Sequence, residues 1–265
     1  MRPSVHMDPV VGLCQFIPVM GDPDANARRI LGELSSESAD VYIFPESFLT
    51  GYGVDPVGME GEVGRCLGMV SDACREWDRA VAVGTPRYGD GEVFNSLAFL
   101  SPDGDVYYDK AHLARFGIYS EDGFSEGAGP AIGHYHGIGF GMCICYDVFF
   151  PEILHGCSLG GSSVNICVAA SAVQSKRFLD TVLPARALEN VTYTAYVNNT
   201  GTIGDLRMHG CSRALDPFGT TIAECGTGEG FATFTVDDET LGECRETRRH
   251  LEDFRSDVDW VNKNY

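Results

Sequence analysis

The chain has 265 residues, with 38 Asp and Glu against 19 Lys and Arg, a formal net charge of −19. That imbalance argues against nucleic acid and anionic membrane surfaces as partners, and no apolar run reaches the length of a membrane span. Hydrophobic residues make up 44%, ample for a large core, and no linker, low-complexity tract or internal repeat divides them, so a single domain over 1–265 is expected.

The opening MRPSVHMDPVVGLCQF has one Arg but no long apolar stretch before a small-residue cleavage site. A signal peptide is therefore not expected, and Met7 is a second possible start. Val10 to Phe16 predicts a strand, and DPDANARRILGEL from Asp22 supplies a capping Asp, an early Pro and helical apolar spacing. VYIF, Val41 to Phe44, predicts a second strand that runs into Pro45, Glu46 and Ser47, so Glu46 follows a strand end. Val63 to Trp77 has helical spacing, and AVAVGTP from Ala80 reads as a buried strand. FNSLAFLSPDGDVYYDKAHL reads as a hairpin around Pro102, Asp103 and Gly104, with Lys110 just past its second strand.

Ile138 to Ile144 is mostly Gly and apolar residues without helical spacing, which suits a strand buried on both faces and ending at Cys145. VNICVAAS then reads as a strand, TVLPARALEN as a helix, TYTAYVNN as a strand and GCSRALDPFGTTIAEC as a hairpin pair. The last forty or so residues turn polar and arginine-rich. Strands alternating with helices, with hairpins added, predict a layered α/β domain whose strand ends collect loops and function.

Free Cys is among the most buried residue types, so Cys145 taken alone reads first as a structural thiol. A nucleophilic thiol needs a base or a cation beside it, because its ordinary pKa is about 8.5. None of the 7 His stands in a papain-like or caspase-like signature. Glu46 and Lys110, both at strand ends, offer an alternative in which the carboxylate is the base and the ammonium stabilises an oxyanion. Cys143 and Cys145 would share a strand face without forming a C-x-x-C pair, which leaves a thiol-redox role open. His134 and His136 alternate as strand neighbours do, but no acidic or Cys cluster adjoins them, so no metal is expected. The 10 Cys contain no C-x-x-C pair, so a reducing cytoplasm fits, and a salty one would suit the acidic excess.

Taken in order, FPESFLTGY (44–52), YYDKAHL (107–113) and ICYDVFFPE (144–152) resemble the three catalytic signatures of the nitrilase superfamily, the carbon-nitrogen hydrolases. QFIPVMGDPDAN, NSLAFLSPDG, LPARALEN and GCSRALDPFG extend the likeness over essentially the whole chain. The resemblance implies an α/β fold, a four-layer α-β-β-α sandwich, assembled as a homodimer or higher homo-oligomer with the 243–265 tail at the interface. It implies Cys145 as nucleophile, Glu46 as general base, and Lys110 with the Tyr146 N–H as oxyanion donors. It adds a second glutamate, for which Glu121 is the match and Asp122 the rival because the spacing to Phe124 is one residue short.

Tyr52, Tyr146, Phe149 and Ser171 are the implied substrate-lining residues, with Asp147, Pro151 and Glu152 fixing the turn. Lys176 and Arg177 are either holders of a substrate carboxylate or solvated helix-start charges. Nitrile hydrolases typically follow the nucleophile with Trp-Glu, whereas Tyr146-Asp147 here implies an amidase-like branch. The implied reaction is hydrolysis of a non-peptide C–N bond in a small linear amide, an omega-amide or carbamoyl compound included, through a thioester and with no cofactor. Acyl transfer to an amine by the same triad, and a catalytically silent interaction protein, are the alternatives.

Overall fold

The computed structural model describes residues 8–89, 91–115 and 120–254. The first half contributes β1 (Val10–Gln15), α1 (Pro23–Leu34), β2 (Val41–Ile43), α2 (Glu60–Trp77), β3 (Ala80–Gly89), β4 (Glu92–Leu100) and β5 (Val106–Asp109). Next come β6 (Ile132–Tyr135), β7 (Ile138–Ile144), α3 (Pro151–Leu159), β8 (Val164–Ala169), α4 (Lys176–Asn190) and β9 (Tyr193–Asn198). The chain continues through the short ribbon β10 (Thr202–Ile203) and β11 (Leu206–Arg207), then β12 (Arg213–Leu215), β13 (Thr221–Glu224), β14 (Gly230–Thr235) and α5 (Asp238–Thr247).

Among the described residues these strands form two six-stranded sheets, ordered β14-β1-β2-β3-β4-β5 and β13-β12-β9-β8-β7-β6. Period-two alternation decides what each face meets. In the first sheet Tyr42, Phe44, Val81, Val83, Ala98 and Leu100 face outward and pack with Ile30 and Leu34 of α1 and Val63, Cys66 and Val70 of α2. Their neighbours Val11, Leu13, Val41, Ile43, Leu97 and Phe99 belong to a second cluster shared with Phe140, Met142, Ile166 and Val197 of the other sheet. Phe99 stacks across the gap on Phe140 with ring centroids 5.2 Å apart. Leu154 of α3 and Leu183 and Ala187 of α4 extend that cluster on the far side, completing the expected helix-sheet-sheet-helix order. At its centre β7, β8 and β9 run parallel, and β8 and β9 are buried along their whole length, as parallel strands covered on both faces should be.

Two elements lie where only a polar tail was expected. β14 pairs antiparallel with β1 and closes the edge of the first sheet, and α5 follows it behind the Asp237 cap. Helix α4 begins at Lys176, earlier than the predicted Thr181, because a short 3-10 turn over Val173–Ser175 leads straight into it. Of the 243–265 tail, the part to Thr247 finishes α5 and the stretch 255–265 lies outside the described residues. Phe254 sits edge-on to His155 of α3, 4.7 Å between centroids. Among the described residues no helix is long and apolar enough to cross a membrane.

One glycine of β3 sets the position of the loop after β2. A Cβ on Gly84 would lie 2.2 Å from the Ser47 nitrogen and 2.5 Å from the Pro45 oxygen, and neither backbone atom can give way as a flexible side chain would. Gly84→Ala is expected to cost at least about 1–3 kcal/mol in thermal unfolding. It should also displace Glu46 enough to lower turnover in any refolded material.

Candidate active site

Three loops at strand ends converge. Glu46 follows β2 in a tight turn in which Ser47 has φ +52° and the Phe48 N–H donates to the Pro45 oxygen. Lys110 follows β5, its N–H donating to the Asn95 oxygen and its own oxygen accepting from the Gly127 N–H. Cys145 follows β7 and opens a 3-10 turn, Cys145–Phe149, with φ +50°. A non-glycine residue held in the left-handed region stores about 1–3 kcal/mol of strain, which persists only where surrounding contacts impose it.

Those contacts are visible. The Asp147 carboxylate accepts from the His112 N–H at 2.8 Å, the Tyr108 hydroxyl at 2.7 Å and the Ile144 N–H at 3.2 Å. It thereby ties the turn after Cys145 to the segment that carries Lys110. His112 lies flat on Phe150, rings 3.7 Å apart. From α4, Arg186 donates through Nε to the Val148 oxygen at 2.7 Å and through Nη2 to the Phe149 oxygen at 3.3 Å, so LPARALEN supplies a clamp on the same turn.

The charged groups form one buried cluster. Lys110 Nζ lies 2.8 Å from Glu46 Oε1 and 2.8 Å from Glu121 Oε1. Asn95 Nδ2 donates to the same two oxygens, at 2.9 and 2.6 Å. The remaining Glu46 oxygen accepts the Ala170 N–H at 2.7 Å, and that of Glu121 accepts the Ala114 N–H at 2.5 Å. Glu46, Lys110 and Glu121 are 0%, 1% and 4% exposed, so each charge depends on the others for solvation. Cys145 is half-buried, its Sγ 3.5 Å from the Ser171 hydroxyl.

Burial pushes the Glu46 carboxyl above its ordinary range, further than Lys110 pulls it back. Burial alone would favour neutral Lys110, but Glu46, Cys145 and Glu121 outweigh it and hold the ammonium well above the usual lysine range. Burial, and then the Glu46 charge, push the Cys145 thiol up. Cys145 is therefore a thiol at neutral pH and needs a base at the moment of attack.

Of the two candidates for the second glutamate, Glu121 enters the cluster, whereas Asp122 is exposed and accepts from the Ser120 hydroxyl at 2.6 Å. A cavity of about 310 Å³ opens beside the cluster, walled by Tyr52, Asn95, Glu121, Thr50, Pro86 and Phe124 among others. Tyr146 and Phe149 belong to the turn after Cys145, their rings 6.1 Å apart, and Phe149 is exposed. Lys176 is tied to Asp180 at 2.8 Å and Arg177 covers the Phe178 ring. His136 meets Asp78 at 3.0 Å. Asn95 escaped the sequence reading; its signal was a polar residue at a strand position where a buried one stands next in the alternation.

A model of the carbon-nitrogen hydrolase family matches residues 10–246. The chain belongs to the carbon-nitrogen hydrolases. Among similar proteins, the "Hydrolase in pqqF 5'region" of Pseudomonas protegens is 31% identical over 94% of this chain and 90% of its own length. The 2-oxoglutaramate amidase of Bacillus subtilis is 28% identical over 94% of this chain and 98% of its own. A solved carbon-nitrogen hydrolase superfamily protein of Xanthomonas campestris, bearing an arsenic adduct in its active site, superposes with a TM-score of 0.84 at 25% identity. That match covers 95% of this chain and 99% of that one. The sandwich is thus the fold this family uses.

Proposed function

We propose that this carbon-nitrogen hydrolase is an amidase acting on a small linear amide, with Cys145 as nucleophile. The observation that carries the reading is the buried Glu46–Lys110–Glu121 cluster at the strand end beside a strained, half-buried cysteine. Relatives named as amidases support it. In this reading Glu46 takes the thiol proton as Sγ attacks the amide carbon. Lys110 and the Tyr146 N–H then stabilise the tetrahedral oxyanion. The proton returns from Glu46 to the nitrogen, ammonia or an amine leaves, and a thioester remains on Cys145. Water activated by Glu46 hydrolyses it and restores the thiol. Glu121 acts by holding Lys110 and by facing the substrate cavity, which Tyr52 also lines, while Tyr146, Phe149 and Ser171 lie outside that lining and are assigned to the reacting end of the substrate at Cys145.

Ammonia release across a panel of linear amides, with Cys145→Ala as control, tests this reading. Product analysis with added amines separates hydrolysis from acyl transfer. The pH profile gives a second check. Glu46 must be ionised to accept a proton, and burial raises its pKa, so kcat/KM should fall with decreasing pH through a limb above the ordinary glutamate value of about 4.3. A limb at or below that value would contradict the role of Glu46.

The same reading includes a single domain over 1–265, a cytoplasmic location and a homodimer. The exposed Leu159 of α3 and Phe178 and Leu188 of α4 support a paired face, with the 243–265 tail beside it. Light scattering on a column eluate would return a monomer mass if that part is wrong.

A further inference from the structure

Among its described lining residues the cavity beside the cluster offers hydrogen-bond acceptors and no cation. Among the described residues that line it there is no Lys, Arg or His, while Glu121 and Asp55 both contribute carboxylates. Lys110, the cluster's only cation, already meets two carboxylates at 2.8 Å each, so with every group ionised the three sum to one negative charge. Asn95 is decisive. Its Nδ2 donates to both carboxylates, which fixes the orientation of the amide and turns Oδ1 away from them. That Oδ1 is buried without a protein partner in a residue only 2% exposed that lines the cavity. A buried acceptor left unsatisfied costs about 1–3 kcal/mol, and a ligand N–H in the cavity would relieve it.

The surroundings point the same way. A net charge of −19 repels approaching anions and attracts cations. Lys176 and Arg177, the residues that could have gripped a carboxylate, are engaged with Asp180 and Phe178 and lie outside the lining. The rings of Tyr52 and Phe124 share the wall with Asp55, and aromatic faces attract cations as well.

We propose that this cavity selects amides by charge, accepting linear amides that end in an ammonium and turning away those that end in a carboxylate. The inference rests on the amidase reading, which places the reacting amide at Cys145. Asp55, exposed at the mouth, is the residue that meets the ammonium, and the Asn95 Oδ1 accepts an N–H from the bound ligand.

Calorimetry on the full-length Cys145→Ala protein at low salt, with pentanamide and its ω-amino and ω-carboxy counterparts, tests the selection without turnover. The ω-amino amide should bind at least about threefold tighter than pentanamide, and the ω-carboxy amide at least about tenfold weaker. Added salt should shrink the ammonium advantage, and Asp55→Asn should remove it. Equal or tighter binding of the ω-carboxy amide, an advantage that survives Asp55→Asn, or no binding by any of the three would overturn the proposal. Ammonia release by the unaltered protein is scored separately, so that failure to hydrolyse any amide sinks the amidase reading while the binding order still decides the charge selection.

Discussion

Replacement of Cys145 by Ala is expected to lower ammonia release by at least about 10⁴-fold, because the neighbouring thiols Cys143 and Cys167 are fully buried and so are closed to a substrate that must form the thioester. Circular dichroism and the unfolding midpoint should change little, since the half-buried thiol makes one long hydrogen bond, with Ser171 at 3.5 Å, and Ala keeps the Cβ that packs on the core. Cys145→Gly separates chemistry from strain. At φ +50° glycine adopts the required backbone without penalty, so this variant should be equally inactive yet about 1 kcal/mol more stable than Cys145→Ala. Retained turnover in either variant would remove Cys145 from the mechanism. Equal stability of the two would show that the turn does not strain the backbone.

Lys110→Met should damage both activity and fold. In the proposed mechanism it removes the ammonium that stabilises the oxyanion, worth about 10²–10³-fold in kcat, and it leaves Glu46 and Glu121 buried without a counter-ion, costing about 3–5 kcal/mol near neutral pH. The pH dependence has a definite sign. Burial already holds the Glu46 carboxyl above its ordinary range, the Glu121 charge pushes it the same way, and without Lys110 the charge that pulls it back is gone, so it stands above the unfolded value of about 4.3. A group with a raised folded pKa contributes its stability in full below the unfolded value and loses it as pH rises through the folded one. The deficit relative to the unaltered protein should therefore shrink as pH falls toward that value. Urea unfolding at several pH values would measure it, and a deficit that is flat with pH would mean the carboxylates are not left charged and buried together.

The sequence spoke clearly where one face or one neighbour decides the outcome. The run from Ile138 to Ile144 is β7 to the residue, because only a strand covered on both faces tolerates so much apolar surface without helical spacing. β14 was hidden for the opposite reason. As an edge strand it exposes every second side chain, Phe231, Thr233 and Thr235 among them, and polar neighbours dilute its alternation. The convergence of Glu46, Lys110 and Cys145 followed from three motifs, but the choice between Glu121 and Asp122 did not. That pair differs by which side of a loop faces Lys110, and only the packed loop decides it. The polar position of Asn95 within its strand is a local mark, but its partners, 49 and 26 residues away, are not written beside it.

The Glu46 loop is held from the second sheet as well as the first. Its carboxylate accepts the Ala170 N–H across 124 residues of sequence, and its main-chain oxygen accepts from Asn199 across 153. Loops that long close slowly, and their entropy must be lost before these bonds can form. The geometry of the Glu46 cluster is therefore expected to be among the last features to assemble during folding. After dilution from denaturant, recovery of turnover should trail recovery of helical signal, so enzymatic activity would report completed topology and not merely collapse.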